Sequence, residues 1–205
     1  MNIRDELGKP LIKEEEIDRR SHEIALQIAL DCIDRKPVLL CVQKGAIVWA
    51  SKVIQALGSL SFAFDLASIS ASSYEKTQST GRVVVENLEG MAPKDLIDRH
   101  IIVLEDILDT LKTVKAIKKY LNGCGVSSVV VCSMLLKEKW SNFWWRVLGL
   151  RGLFGMPRAP YIGKTIKDRF VVGLGLDYEQ WCRDLEGIFV MNSKVKEYID
   201  AQVAQ

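Results

Sequence analysis

The sequence lacks the patterns that mark disulfide-rich and zinc-binding proteins. Its five cysteines, Cys32, Cys41, Cys124, Cys132 and Cys182, form no C-x-x-C pair, and only two histidines are present. Neither a disulfide framework nor a Cys/His zinc site is therefore expected. We interpret the cysteines as reduced thiols that lie mostly in the core.

Long apolar runs and a strong net charge are also missing. No uninterrupted apolar run reaches the ~20 residues needed to cross a bilayer, and charged residues at 4, 5, 6 and 9 stand where a secretory signal would be apolar. We therefore expect a soluble, cytoplasmic protein. The net charge is only +2, which gives no general attraction to nucleic acid or to an anionic membrane. Any anion-binding site must be local.

The apolar pattern predicts an α/β fold. The 205 residues, of which 48% are hydrophobic, suffice for a single domain. Three short continuous apolar runs are typical of strands buried on both faces: 38–42, 100–104 and 128–136. Helical patterns lie at 14–33, 46–57 and 112–121. The alternation predicts a mainly parallel, twisted sheet flanked by helices, whose ligands bind beyond the carboxyl ends of the strands.

Other segments predict smaller elements. Phe62, Phe64 and Leu66 alternate as in a strand with one buried face. Short strands are predicted at 83–85, 170–172 and 188–191, and a closing helix near 193–203. Residues 70–81 are rich in serine and threonine, which predicts a long polar loop that is either a plain surface loop or a functional lid.

Three carboxylates follow the predicted strand that ends at Leu104, namely Glu105, Asp106 and Asp109. Burying a carboxylate without a partner costs several kcal/mol, so adjacent acids at a strand end face water, a cation or hydroxyl groups. In the alternative interpretation, Asp109 only caps the next helix while the other two acids are solvated. The spacing alone does not decide between the two.

The start of the next helix suits a phosphate. Thr110, Lys112 and Thr113 lie beside N–H groups at a predicted helix N-terminus, where the helix dipole and the unpaired donors both favour an anion. Acids next to phosphate donors suit a sugar phosphate with Mg²⁺.

Four segments, in order, resemble one enzyme family. Residues 101–113, IIVLEDILDTLKT, resemble the phosphoribosyl pyrophosphate (PRPP) signature of type I phosphoribosyltransferases, in particular the hypoxanthine-guanine branch. Residues 42–46 resemble that branch's pyrophosphate loop, residues 72–81 its flexible lid, and residues 169–185 its base-binding hood. The similarity covers roughly residues 10–192. Gly163-Lys164-Thr165 is not a P-loop, because Arg158 stands where that motif requires glycine.

The resemblance implies an Mg²⁺-dependent purine salvage enzyme. It would transfer the 5-phosphoribosyl group of PRPP to hypoxanthine, guanine or xanthine, and release pyrophosphate with inosine or guanosine monophosphate. It implies the type I phosphoribosyltransferase fold, with a core at about 36–165 and a small hood built from the N-terminal segment and about 166–205. A homodimer or homotetramer is implied as well. The alternative on the same fold is a PRPP-sensing regulator with little catalysis.

The resemblance also assigns roles to single residues. Asp109 would be the general base, and the metal ligands would be Glu105, Asp106 and Asp177. The 5-phosphate would be bound by Asp109, Thr110, Leu111, Lys112 and Thr113, and the pyrophosphate by Lys44, Gly45 and Arg183. The purine would be contacted by Ile107, Lys137, Phe170 and Val171. Ser73 and Tyr74 would belong to the lid.

Three of these positions carry sharper expectations. Lys137 would donate to the 6-oxo group of the base, so adenine, which presents an amino group there, is rejected. The resemblance implies a cis peptide bond between Gln43 and Lys44. Most of the family has glycine where this chain has Leu111, and leucine does not readily adopt positive φ. We therefore expect an ordinary right-handed conformation at Leu111 with its N–H aimed at phosphate.

The connection at 140–158 is longer than in the family and rich in tryptophan, phenylalanine and arginine. Such enrichment is typical of interface cores, so our first hypothesis is a subunit contact or a cap over the site. A membrane-surface helix is the alternative, because tryptophan and arginine on one short amphipathic piece also suit a bilayer interface.

Overall fold

A computed structural model describes residues 1–73, 83–138 and 158–204 of the chain. The helices of this part are α1 (Ile3–Leu7), α2 (Glu14–Asp31), α3 (Ala46–Ser59), α4 (Lys112–Gly123) and α5 (Ser193–Val203). The strands are β1 (Val38–Gln43), β2 (Asp65–Ser73), β3 (Val83–Glu89), β4 (His100–Leu108), β5 (Ser128–Lys137), β6 (Arg158–Ile166), β7 (Val171–Val172) and β8 (Phe189–Val190).

The main sheet is mostly parallel, as predicted. Its strand order is β3-β2-β1-β4-β5-β6. Every neighbouring pair is parallel except the edge pair β2 and β3, which is antiparallel. Strands β7 and β8 form a separate antiparallel pair. Because the central strands are parallel, the carboxyl ends of β1, β4 and β5 lie at one edge of the sheet.

Helices cover both faces of this sheet. Side chains alternate along each strand, so Leu39 of β1 packs in the cluster with α2 and α3, whereas Leu40 packs in the cluster with α4. Trp49 of α3 is fully buried and donates its Nε1–H to Ser21 Oγ of α2 at 3.1 Å. The continuous apolar strands thus have the two covered faces that their sequence predicted. None of the described helices has both the length and the apolar character needed to cross a bilayer.

Strand β4 is longer than predicted. It continues past Leu104 to Leu108 because its ladder with β5 continues, with Glu105 opposite Ser133 and Leu108 opposite Leu136. Glu105 therefore lies within the sheet and does not follow it, and the predicted strand end at Leu104 was wrong.

Strand β2 also departs from the predicted boundaries. It begins at Asp65, so Phe62 and Phe64 precede it. It then runs through residues 70–73, the first part of the predicted polar loop. The serine-rich segment is a strand because β1 and β3 supply its hydrogen-bonding partners on both sides, with Ser70 opposite Gln43 and Ala71 opposite Val85.

Helix α1 and strand β6 were not predicted. Strand β6 contains Gly163-Lys164-Thr165, and a Cβ at Gly163 would lie only 2.6 Å from the carbonyl oxygen of Met134 on β5. The glycine thus allows close packing of two strands. This confirms that the triplet is not a phosphate-binding loop.

Candidate active site

Glu105 and Asp106 lie on β4 near the carboxyl edge of the sheet. Glu105 is 7% exposed, and its Oε2 is buried without a hydrogen bond to any described residue. Burial, and then the neighbouring charge of Asp106, raise the pKa of Glu105 well above its usual range. Burial also raises the pKa of Asp106, although its Oδ1 accepts a hydrogen bond from Ile107 N at 2.6 Å. Neither carboxylate forms an ion pair with a described residue.

These two carboxylates suit a divalent cation whose coordination shell is completed by oxygens of the substrate. Mg²⁺ is usually bound by one or two carboxylates, with waters and substrate oxygens as the other ligands. The buried, unpartnered oxygen of Glu105 beside Asp106 fits that requirement. The described residues contain no cluster of three or more His, Cys, Asp or Glu side chains that could hold a metal alone. Asp177 is occupied elsewhere, since its Oδ1 lies 2.8 Å from Arg183 Nη2.

Two glycines allow close approach of separate segments of the chain, one against Asp106 and the other against Gly45. A Cβ at Gly45 would lie 1.8 Å from Asp106 Oδ2, so only glycine permits this approach. A Cβ at Gly175 would lie 2.0 Å from the carbonyl oxygen of Gly45, and Gly175 has a φ of +95°. The segments predicted as pyrophosphate loop, PRPP signature and hood therefore meet at one point.

The turn between β4 and α4 differs from the sequence expectation. Leu111 occupies the N-cap position of α4 with φ 60° and ψ 2°, so the expected right-handed conformation was wrong. Its side chain is 3% exposed and belongs to a buried cluster with Leu108, Val114 and Val131. Burial of this side chain offsets the cost of the left-handed backbone. Because Leu111 is the N-cap, the alternative in which Asp109 only caps the helix was also wrong.

The first turn of α4 has no side-chain cap from its N-cap residue. Thr110 and Lys112 are exposed there and Thr113 is partly exposed. The N–H of Lys112 points to Thr110 Oγ1 at a long distance of 3.4 Å. The open end of the helix therefore offers amides and hydroxyls that an anion can bind.

Lys137 ends β5 and is 5% exposed. Its Nζ donates to Asp168 Oδ1 at 2.8 Å and to the carbonyl oxygen of Arg169 at 2.7 Å. Asp109 Oδ2 lies 3.6 Å from the same nitrogen. The structure thus brings together the residues predicted as base reader and general base.

The other predicted purine contacts lie on both sides of Lys137 in sequence. Phe170 is 55% exposed, and Tyr178 packs edge-on against it with ring centroids 5.8 Å apart and planes at 88°. Val171 is buried and pairs with Val190 between β7 and β8. Ile107 is partly buried against the core. An exposed aromatic face that is fixed by a neighbouring ring can stack on a planar ligand.

Of the predicted pyrophosphate residues, Gly45 and Arg183 both lie against Gly175. The peptide bond between Gln43 and Lys44 is cis, which confirms the prediction, and Lys44 is exposed. Arg183 donates through Nη1 to the carbonyl oxygen of Gly175 at 2.6 Å. Its Nε is buried without a hydrogen bond to the described part of the chain.

Two predicted regions lie partly or wholly outside the described residues. Ser73 is the last residue of β2 and pairs with Val83, whereas Tyr74 of the predicted lid is not among the described residues. The aromatic and arginine-rich connection lies outside them as well, except for Arg158, which begins β6.

Sequence reasoning missed three contacts at the site. Asp168 and the carbonyl of Arg169 hold Lys137 from 31 and 32 residues away, and Tyr178 supports Phe170. The signal for Asp168 was a carboxylate placed two residues before the predicted stacking ring. Nothing in the sequence indicated which cation it would meet.

Comparisons with known proteins agree with this geometry. Residues 12–147 match the family model described as phosphoribosyl transferase domain. A hypoxanthine-guanine-xanthine phosphoribosyltransferase of Tritrichomonas foetus is 27% identical over 93% of this chain and 95% of its own length. A hypoxanthine-guanine phosphoribosyltransferase of Staphylococcus epidermidis is 30% identical over 93% of this chain and 97% of its own length.

Solved structures give the same result. A hypoxanthine phosphoribosyltransferase from Staphylococcus aureus superposes with a TM-score of 0.76 at 27% identity, covering 95% of this chain and 98% of that one. A hypoxanthine phosphoribosyl transferase of Trypanosoma cruzi has a TM-score of 0.76 at 26% identity, covering 95% of this chain and 96% of that one. That structure concerns the role of its C-terminal region in oligomeric state and enzymatic activity.

Proposed function

The chain belongs to the phosphoribosyltransferase family, and we propose that it transfers the 5-phosphoribosyl group of PRPP to hypoxanthine or guanine in purine salvage. The observation that carries this substrate assignment is the buried Lys137, which lies 3.6 Å from Asp109 at the edge of the sheet that bears Glu105. A protein that only sensed PRPP would have no use for a buried lysine placed to read a base.

The acids of β4 act on the sugar in this proposal. Glu105 and Asp106 would bind the ribose hydroxyls and hold one Mg²⁺. By the family resemblance Asp177 would hold a second Mg²⁺, which requires it to give up its ion pair with Arg183. The bound metal would neutralise charge on the departing pyrophosphate. The negative charge of the two carboxylates favours the positive charge that develops on the sugar ring as its bond to pyrophosphate breaks. The unpartnered oxygen of Glu105 supports this role.

In this proposal, the 5-phosphate and the pyrophosphate bind to different loops of the site. The 5-phosphate binds the open N-terminal turn of α4, at residues Asp109 to Thr113, through amides and the hydroxyls of Thr110 and Thr113. The pyrophosphate binds at Lys44 and Gly45 and at Arg183, whose buried Nε lacks a hydrogen bond to the described residues. Preorganised donors of this kind stabilise a developing charge without reorganisation during the reaction.

The base is held between Lys137 and Phe170 in this proposal. Phe170 stacks on the purine, with Ile107 and Val171 against its edges, and Lys137 donates a hydrogen bond to the 6-oxo group. Asp109 takes or shares the imidazole proton while the other ring nitrogen attacks the sugar. Adenine presents an amino group to Lys137, so two donors would face each other and one hydrogen bond would be lost.

Steady-state assays with hypoxanthine, guanine, xanthine and adenine test the proposal, each with PRPP and Mg²⁺. We expect pyrophosphate and nucleotide in equal amounts from the 6-oxopurines, little from adenine, and none after chelation of Mg²⁺. Lys137→Met should abolish the preference for 6-oxopurines over adenine. Lys115→Met, which changes an exposed lysine of α4, should leave that preference intact. Tight PRPP binding without turnover of any base would favour the regulator.

A homodimer or homotetramer belongs to the same proposal. The family resemblance supports it. Light scattering of the purified chain would give its mass in solution, and a mass equal to the 23.1 kDa of one chain would contradict this part.

A further inference from the structure

Asp168 holds the lysine that we assign to base reading. Lys137 Nζ lies 2.8 Å from Asp168 Oδ1 and 2.7 Å from the carbonyl oxygen of Arg169. The lysine is 5% exposed, whereas the Asp168 side chain is 57% exposed. A buried ammonium needs a partner at all times, and the nearest carboxylate is that of Asp168.

The hydrogen bonds fix the direction of the ammonium group. It has three N–H donors. Two of them are used by Asp168 and Arg169. Asp109 Oδ2, at 3.6 Å, is too distant for a good third hydrogen bond. Among the described residues no further acceptor is hydrogen-bonded to Lys137, which leaves one donor for an acceptor on the ligand.

The two carboxylates around Lys137 have different tasks. If Asp109 takes up a proton from the base, its negative charge disappears. Lys137 then still has the charge of Asp168 beside it and does not become an unpaired buried cation. Without Asp168, the lysine would have to donate a direct hydrogen bond to Asp109, which would turn it away from the base and weaken Asp109 as a proton acceptor.

We propose that Asp168 is a positioning residue that holds Lys137 toward the 6-oxo group of the base and keeps it from forming a direct hydrogen bond with Asp109. This inference rests on the proposed function. Asp168 contacts no reacting atom and acts only through Lys137. It determines base selectivity, because the direction of the Lys137 donor separates 6-oxopurines from adenine.

Kinetics of Asp168→Ala test the inference. We expect the KM for hypoxanthine to rise about tenfold or more, the factor for losing one hydrogen bond to a charged group. The KM for PRPP should change less than about twofold, and the preference for hypoxanthine over adenine should fall by about the same factor as hypoxanthine binding. Asp168→Glu restores the carboxylate on an exposed, longer side chain and should return the KM to within about threefold of wild type.

A binding measurement separates positioning from a general loss of structure. Calorimetric titration of inosine monophosphate, without metal, should show about tenfold weaker binding for Asp168→Ala, while the variant keeps a cooperative thermal unfolding transition. Glu197→Gln, which removes an exposed carboxylate of α5, is the matched control and should bind like wild type.

The outcomes distinguish this inference from the function on which it rests. An active wild type combined with an Asp168→Ala protein of unchanged base KM would overturn the positioning role alone, as would equal increases in the KM values for PRPP and both bases. A wild-type chain that neither turns over 6-oxopurines nor binds inosine monophosphate would overturn both.

Discussion

Carboxylates with contrasting surroundings lie at opposite ends of the main sheet. At the amino end, Asp65 begins β2 and pairs with Lys36 and with Arg99 Nη2, the latter at 2.6 Å. Hydrogen bonds from these two cations hold the pKa of Asp65 below its usual range. At the carboxyl end, burial raises the pKa values of Glu105 and Asp106, and neither acid has an ion-pair partner among the described residues.

The difference separates structural acids from functional ones. The chain supplies its own cations to Asp65, so that acid contributes to folding without a ligand. The described residues supply no cation to Glu105, which therefore costs folding free energy until a ligand arrives. Exposed ion pairs contribute little in any case, so the larger free energies in this comparison lie at the carboxyl end.

The largest expected effect is at that end. The double variant Glu105→Gln/Asp106→Asn should lower kcat/KM for PRPP by about 10³-fold, since it removes charges that stabilise the transition state. The same variant should raise the free energy of unfolding of the metal-free protein by roughly 1–3 kcal/mol, because it removes a buried charge without a partner. Kinetics and urea unfolding in a chelator measure the two effects. A variant that lost stability along with activity would contradict the comparison.

A second test alters the packing around Asp106 and leaves its charge in place. Gly45→Ala would place a Cβ 1.8 Å from Asp106 Oδ2, so the loop or the carboxylate must move, and we expect about a 10²-fold loss in kcat/KM for PRPP. Gly58→Ala is the matched control. A Cβ there meets nothing within 4 Å, and alanine in a helix should add up to about 1 kcal/mol of stability. Equal activity of the two variants would contradict the close approach at Gly45.

The dependence of stability on pH should differ in sign between the two ends. The pKa of Glu105 is higher in the folded than in the unfolded protein, so its contribution to stability is complete below the unfolded value of about 4.3. That contribution is lost as the pH rises through the folded pKa. Asp65, with a lowered pKa, contributes stability that is lost as the pH falls through its folded pKa.

Urea unfolding of the metal-free protein at pH 5 and pH 8 measures this effect. We expect wild type to be less stable at pH 8 than the double variant Glu105→Gln/Asp106→Asn, with the two closer together at pH 5. A gap of the same size at both pH values would show that titration of the β4 acids does not cause the difference.

The smallest expected effect is at the amino end. Asp65→Asn should lower the free energy of unfolding by about 0.5–1 kcal/mol, as is usual for exposed ion pairs, with kcat and both KM values unchanged. Thermal unfolding at low and at 0.5 M salt checks the loss of stability, because salt screening should reduce the difference in stability between the variant and wild type. A loss of turnover in this variant would contradict the view that Asp65, at the amino end of the sheet, has only a structural role.

The parts of the fold that could be predicted were those that apolar patterning alone determines. The continuous runs in β1 and β5 fixed the parallel sheet, because only strands covered on both faces are apolar throughout. The prediction ended β4 too early, at Leu104, because carboxylates normally mark the end of a buried strand. The exception arose at the functional site, where local rules are most often broken.

Pairings across long distances in sequence could not be predicted. The conformation of Leu111 depends on a buried pocket formed with Val114 and Val131, which outweighs the preference of leucine for negative φ. The contact between Asp168 and Lys137 depends on how β5 and the segment before β7 meet. The order of the motifs predicted which residues belong to the site, and the structure shows which of these residues are in contact.

Titration of PRPP into the protein with excess Mg²⁺, followed by calorimetry, tests the central claim most directly. Wild type should bind one PRPP per chain, and the double variant Glu105→Gln/Asp106→Asn should bind it at least about tenfold more weakly, since hydrogen bonds to the charged groups are lost. Equal affinity of the two proteins for PRPP would contradict the claim that the unpaired acids of β4 are reserved for this ligand and its metal.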